Sequence, residues 1–278
     1  MLKGIVNKII PFSSVDGPGN RTAIFFQGCN FDCLYCHNPE TIKRCVNCGT
    51  CLFSCNFDAI SMIGNTVVWN EDKCKHCDGC VRVCKNSCGP KQKRMSVGEI
   101  LKEIIKVKPF ISGITVSGGE CTLQAEFLVD LFDKVKKLGL TVFVDTNGST
   151  DFRKNKELTE SMDKVMLDIK SFDSEEHKML TGKDNNIVLE NAKYLASIDK
   201  LYEVRTVVVP NVLDNYNNVN EISKLIASLN PEIRYKLIKY RPLGVRLDKI
   251  NSTQPTDGMM EELKLAAEKN GCKNVLVI

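Results

Sequence analysis

The sequence predicts an α/β protein, a complete or partial β/α barrel interrupted near its start by a small cysteine-rich module. Three observations carry this. From Ser96 onward, short apolar runs alternate with amphipathic stretches of helical period, the pattern of a parallel sheet with helical crossovers. Twelve of the 14 cysteines fall between residues 29 and 88, which sets that region apart from the rest. The apolar runs end in polar clusters, as the carboxyl ends of barrel strands do when they carry chemistry.

The elements follow in order. "KGIVNKII" and "RTAIFFQG" read as strands around the glycine-rich turn "SSVDGPGN". Residues 41 to 92 hold nine cysteines and no long periodic helix, so the chain divides into 1–40, an insert at 41–92, and 93–278. "SVGEILKEIIKVKP" opens with a capping box, Ser96 and Glu99, and repeats Ile100, Leu101, Ile104 and Ile105 at helical spacing up to Pro109. The strand "GITVSGGE" leads to the helix "LQAEFLVDLFDKVKKLG", with lysines in its last turn and Gly139 as its cap. Strands "LTVFVDTNG" and "DKVMLDIK" follow. The helix "NIVLENAKYLASI", strand "YEVRTVVVP", helix "VNEISKLIASL", strand "RYKLIKYRPLG", helix "GMMEELKLAAEKNG" and strand "KNVLVI" complete the alternation.

Composition narrows the function. At 278 residues and 43% hydrophobic content a sizeable core is available. No apolar run is long enough to cross a bilayer and the start carries no export signal, so a cytoplasmic protein without a membrane partner is expected. A formal charge of +4, with no basic run interleaved with aromatics, argues against nucleic acid. In a reducing compartment, that many thiols point to metal ligands and not to disulfides.

Two cysteine runs share one spacing. Cys45, Cys48, Cys51 and Cys55 are separated by two, two and three residues, and Cys74, Cys77, Cys80 and Cys84 repeat this. It is the spacing of bacterial ferredoxins, in which three cysteines of each run hold one 4Fe-4S cluster and the fourth reaches across to the other. Zinc is the alternative, but zinc sites need only four ligands in two pairs. The usual proline after the fourth cysteine is replaced by Asn56 and Lys85, and Cys88 has no role in the count. The earlier group, Cys29, Cys33 and Cys36, stops at three. Three thiolates leave one iron of a four-iron cluster open to an exogenous ligand, and His37 beside them supports the loop without completing the set.

The strand ends supply complementary groups. Gly118 and Gly119 let a ligand approach the backbone. Glu120, Asp145 and Asp168 suit an amine or ribose hydroxyls, and Lys170 and Arg205 suit a carboxylate, with Asn211 and Arg241 on the same rim. An amino acid joined to a nucleoside fits this mixture.

Cys29-x3-Cys33-x2-Cys36 with Tyr35, together with "DGPGNRT", "YCHNPE", "GGE", "DTNG" and "DIK", resembles the glycyl-radical-enzyme activating enzymes of the radical S-adenosylmethionine (SAM) superfamily, across essentially the whole chain. The insert resembles the branch with two additional clusters. The resemblance implies a partial (β/α)6 barrel with a bacterial-ferredoxin-like α+β insert, and three 4Fe-4S clusters in all. It implies SAM bound at the open iron and cleaved reductively to a 5′-deoxyadenosyl radical, which abstracts hydrogen from a glycine Cα of a partner glycyl radical enzyme. An external reductant such as flavodoxin or ferredoxin would supply the electron. By position, Cys29, Cys33 and Cys36 would hold the catalytic cluster, with Tyr35 and His37 beside it. Gly118, Gly119 and Glu120 would receive the methionine amino end. Asp145, Thr146, Met166 and Asp168 would surround a monovalent cation and the SAM carboxylate, and Ile169, Lys170 and Arg205 would contact the cofactor. Asp16, Gly17, Pro18, Gly19 and Asn20 would lie where the partner's glycine peptide enters. Arg241 stands where simpler relatives carry histidine, and it can donate there but not accept. The rivals are a radical enzyme acting on a small molecule or another peptide, and an iron-sulfur carrier or zinc module without catalysis.

Overall fold

A computed structural model describes residues 2–278. Eleven strands are present: β1 (Lys3–Ser13), β2 (Arg21–Phe26), β3 (Ile60–Ile63), β4 (Thr66–Trp69), β5 (Lys93–Ser96), β6 (Gly113–Gly118), β7 (Thr141–Thr146), β8 (Lys164–Asp168), β9 (Leu201–Val208), β10 (Arg234–Lys239) and β11 (Val275–Val277). The helices are α1 (Gly79–Arg82), α2 (Val97–Val107), α3 (Ala125–Lys137), α4 (Lys156–Ser161), α5 (Ser174–Thr181), α6 (Asn186–Ser197), α7 (Asn215–Leu229) and α8 (Asp257–Lys269).

Nine strands form one sheet in the order β11-β10-β9-β8-β7-β6-β2-β1-β5. From β2 to β11 every neighbouring pair is parallel, while β1 runs antiparallel to both β2 and β5. The reason is connection length. β1 and β2 are joined by a turn too short for a crossover, which forces a hairpin. The sheet ends at β5 and β11 and does not close. Among the described residues no helix is long and apolar enough to cross a membrane.

Alternation along the parallel strands decides where the core sits. Ile114 and Val116, Val142 and Val144, Val165 and Leu167, Tyr235 and Leu237 point to one side and pack with Ile100, Ile104, Leu128, Leu131, Leu195 and Ile226 from the helices. The other face is polar. There Thr115, Ser117, Asp145, Asp168, Glu203, Arg205 and Lys236 stand on successive strands, and Arg205 of β9 reaches Asp145 of β7 at 3.0 Å across the intervening β8. Strands two apart in a flat sheet are separated by roughly 9 to 10 Å. The two side chains together span that gap, so both lie on this polar face.

Local signals explain the helix ends. Ser96 Oγ accepts from the Glu99 amide and Glu99 Oε2 accepts from the Ser96 amide at 2.7 Å, the capping box expected for α2. Gly139 after α3 adopts φ +76°. Helices α4 and α5 were not legible, because "KELTES" and "SEEHKMLT" are short and largely polar. The insert has its own small apolar core of Cys51, Ile60, Val67 and Cys80, separate from that of the sheet, and β3 and β4 pair as a hairpin beside it.

Candidate functional site

The loop bearing Cys29, Cys33 and Cys36 crosses the carboxyl end of β2 and is anchored on three sides. Its base is closed by the amides of Gly28 and Cys29 donating to the carbonyls of Thr41 and Ile42, both at 2.8 Å. The Glu120 amide donates to the Gly28 carbonyl at 2.8 Å, joining the loop to the end of β6. The amides of Asp32 and Leu34 donate to the carbonyls of Thr181 and Leu180 at 2.9 Å, docking the loop on the end of α5. Two donors address the first sulfur: the Phe31 amide at 3.4 Å and Asn147 Nδ2 at 3.6 Å from Cys29 Sγ. Asn147 lies in the quoted "DTNG" turn, but only the fold shows that it faces a thiol.

Burial pushes the Cys29 thiol up to about 12 and the Cys33 thiol up to about 11, and raises Cys36 as well. Such thiols ionise only beside strong positive charge, which bound iron supplies. Lys170 is the protein cation that acts on all three. Its Nζ lies 5.6 Å from the centre of the Tyr35 ring and 2.9 Å from Asp168 Oδ2. Burial alone would depress the lysine, but Asp168, Tyr35 and Cys33 hold it well above its ordinary value, so it stays charged. Tyr35 is itself buried with no hydrogen-bond partner for its hydroxyl.

Arg205 organises the next layer. It donates to Glu203 Oε1 at 2.5 Å, to Asp145 Oδ2 at 3.0 Å and to Met166 Sδ at 3.0 Å. Ser117 Oγ also donates to Asp145 at 2.9 Å. Glu203, 1% exposed, is shared with Lys236 at 3.0 Å and flanked by Arg234 at 3.6 Å. Neither Glu203 nor Lys236 stood out in the sequence, where "YEVR" and "YKLIK" look like ordinary strand residues. The Ile169 amide donates to the Arg205 carbonyl, which holds β8 and β9 in register at this level.

Several expected contacts take a different form. Glu120 is held by the chain: Oε1 accepts from the Thr122 amide, Thr122 Oγ1 and Thr146 Oγ1, and Oε2 accepts from the Asn147 amide at 2.7 Å. Burial raises its carboxyl, and these donors oppose the rise. It braces the end of β6 against the end of β7. Thr146 is likewise occupied inside this brace. The gaps at Gly118 and Gly119 are filled by the chain itself, since a Cβ on Gly118 would lie 2.2 Å from the Phe26 carbonyl oxygen and one on Gly119 would lie 2.4 Å from that of Gly28. The Gly119 amide is spent on Phe26. Close approach is required there, but by the cysteine loop's own backbone.

Arg241 has an exposed side chain, and its carbonyl sits 3.1 Å from His37 Nε2. The pair thus meets through the backbone. The "DGPGN" turn lies near the amino ends of the parallel strands and tucks beneath the polar face. Thr115 Oγ1 donates to the Asp16 carbonyl at 2.5 Å, and Gly17, at φ +120°, would place a Cβ 2.9 Å from Arg21. Pro18 accepts from the buried Arg21, which stacks on Phe143 at 4.2 Å. Asn211 is exposed at φ +61° beyond β9.

The insert repeats one backbone conformation twice. Asn47 and Gly49 between the first cysteines have φ +58° and +79°, and His76 and Asp78 at the same places in the second run have +52° and +55°. The Asn47 and His76 amides each donate to the sulfur two residues back at 3.4 Å, the contact that Phe31 makes to Cys29. Two hollows lined by thiols result. One is lined by Cys45, Cys48, Cys51 and Cys84, the other by Cys55, Cys74, Cys77 and Cys80, with Cys80 at the border of both. This is three thiols from one run and the fourth from the other. A tetrahedral zinc would need sulfurs about 2.3 Å from one centre, whereas a cubane takes its thiolates on separate corners. The donor sets fit four-iron clusters.

Comparison with known proteins adds to this geometry. The model of the radical SAM superfamily matches residues 23–222. The pyruvate formate-lyase-activating enzyme of Streptococcus mutans is 32% identical over 251 residues, which is 87% of this chain and 79% of that protein. The pyruvate formate-lyase-activating enzyme of Staphylococcus epidermidis is 31% identical over 255 residues, 88% of this chain and 84% of that protein. Among solved structures, QueE from Escherichia coli superposes with a TM-score of 0.54 at 15% identity, covering 99% of this chain and 94% of that one, a likeness of fold.

Proposed function

The chain belongs to the radical SAM superfamily, and on that premise we propose that it is a glycyl-radical-enzyme activating enzyme whose partner is a glycyl radical protein. Membership implies a 4Fe-4S cluster and SAM. The observation that carries the site assignment is the anchored loop of Cys29, Cys33 and Cys36 beside the buried cation of Lys170. Three thiols leave one iron for the amino and carboxylate groups of SAM.

Bound there, a reduced cluster and SAM would supply the chemistry, one electron cleaving SAM to methionine and a 5′-deoxyadenosyl radical that would take a hydrogen atom from the partner's glycine Cα. The chain's own residues bind, orient and exclude water. Cys29, Cys33 and Cys36 hold the irons, with Asn147 and the Phe31 amide donating to the first sulfur. Lys170 and Arg205 face the carboxylate, and Asp145, Thr146, Met166 and Asp168 border the position of a monovalent cation. Gly118, Gly119 and Glu120 would receive the methionine amino end of SAM, with Glu120 also bracing β6 against β7. The buried Tyr35 and the loop held by His37 keep water from the cluster. Asp16 to Asn20 form the floor that a glycine-bearing peptide would meet.

Residues 41–92 are read as a separate ferredoxin-like unit carrying two further 4Fe-4S clusters, a reading supported by the crossed lining of its two cavities and its own core. They would pass electrons from an external reductant such as flavodoxin or ferredoxin. The test is anaerobic reconstitution with iron and sulfide, reduction, and assay of 5′-deoxyadenosine. About twelve irons per chain and SAM cleavage that is lost in Cys33→Ala support the proposal. Iron without SAM cleavage in the native protein would leave only an electron carrier.

A further inference from the structure

Cys88 is a ninth thiol in the insert, 1% exposed, and it lines the same cavity as Cys45, Cys48, Cys51 and Cys84. A turn closed by the Ser87 amide donating to the Cys84 carbonyl folds the chain back at this point. It brings Cys88 Sγ to 3.6 Å from Cys84 Sγ. The other cavity has no counterpart. Cys88 lies four residues after Cys84, and four residues after Cys55 stands Ala59, which lines the second cavity with a methyl group. Two runs that share spacing, dihedral pattern and amide-to-sulfur contacts therefore differ in one place beside their fourth ligand.

A cubane takes one thiolate on each of four irons, and Cys45, Cys48, Cys51 and Cys84 already supply four. Cys88 is left over as a thiol, and a thiol is a donor. We propose that the Cys88 S–H donates a hydrogen bond to the Cys84 sulfur and makes the cluster of this cavity more readily reduced than its four ligands alone would. The inference rests on the reading of the insert as a two-cluster unit. The physical reason is that an added electron puts more negative charge on the ligand sulfurs, and a donor aimed at one of them stabilises the reduced state more than the oxidised one. Alanine at the equivalent place offers no such donor to the other cluster, whose cavity is lined instead by Lys91.

The test compares the reconstituted native protein with Cys88→Ala and Cys88→Ser, with iron counted and each cluster followed by electron paramagnetic resonance during a reductive titration. In Cys88→Ala, full iron content is expected, with one cluster about tenfold harder to reduce, a fall of about 59 mV for a one-electron couple, and the other unmoved. Cys88→Ser, which keeps a donor, should restore most of the difference. If Cys88→Ala does not accumulate, Cys88→Val has no donor and fills the space. Unchanged potentials overturn the inference, and so does the loss of about four irons, which would make Cys88 a ligand. Native protein lacking the insert's irons would instead overturn the two-cluster reading beneath it.

Discussion

Arg246 donates to the carbonyl oxygen of Cys33 at 2.8 Å and pairs with the adjacent Asp32 carboxylate at 2.6 Å. The loop after β10 is thereby fastened across the middle of the cysteine loop, and Lys249 adds a second contact to Asp32 at 2.9 Å. Removing the guanidinium in Arg246→Ala should cost about 1 to 3 kcal/mol of apoprotein stability, the usual range for a charged hydrogen bond. It should also speed loss of the loop's cluster in air several-fold. Lys249→Ala, at an exposed pair, should change either quantity little. Chemical denaturation and absorbance decay would measure both, and equal effects of the two variants would contradict this account.

Glu203 fixes Arg205 from behind, so Glu203→Gln should loosen the arginine without touching any thiol. Iron content should stay at the native level while SAM affinity falls roughly tenfold, about 1.4 kcal/mol. Calorimetric titration with SAM under anaerobic conditions reads the difference. A variant that loses iron along with affinity would point to a general loss of packing.

Gly119→Ala places a methyl group where the Gly28 and Thr41 carbonyls now stand, at 2.4 and 2.7 Å. Backbone cannot yield as a side-chain tip can, so the substitution should cost about 1 to 3 kcal/mol and displace the cysteine loop. Reconstitution should then recover less than half the native site's iron. Full loading with native stability would show that the loop is not seated on β6.

His177 gives a pH dependence. It is wholly buried, its Nδ1 lies 2.7 Å from the Lys183 carbonyl and its Nε2 has no partner. A carbonyl only accepts, so Nδ1 carries the proton and the ring is neutral. Burial lowers its folded value below the ordinary 6.5. The unfolded chain therefore binds the extra proton first, and the stabilising contribution is complete above pH 6.5 and declines as the pH falls below it. Because Phe31 packs edge-on against this ring at 5.5 Å, the cysteine loop should feel the change. Melting temperatures of the apoprotein at pH 7.5 and 5.5 should differ, and His177→Gln should flatten that difference.

The parts of this molecule legible in its sequence are those written in spacing. Alternating strands and helices, the capping box at Ser96 and the two ferredoxin-type runs all depend on neighbours within a few positions. What the sequence concealed depends on pairs brought together from afar. Glu203 and Lys236 look like surface residues of an exposed strand until the fold buries them as a pair. Asn147 is one more turn residue until the fold aims it at Cys29. The close backbone on the Cβ side of Gly118 and Gly119 was hidden as well, because contact between β6 and the cysteine loop is a tertiary fact. The antiparallel direction of β1 follows from its short glycine-rich connection to β2 and not from the strand's own residues.

The crossed lining of the two insert cavities bears on ancestry as well as on electrons. On the two-cluster reading proposed above, each cavity takes three thiols from one run and the fourth from the other, so losing either run would dismantle both sites. Its exit strand β5 pairs with β1 at the margin of the main sheet, through Lys3 opposite Ser96 to Val6 opposite Lys93. A lineage that deleted the module together with β5 would bare the hydrogen-bonding row of β1, an edge open to pairing with other chains. Descendants without the insert should therefore keep a strand of their own in that place.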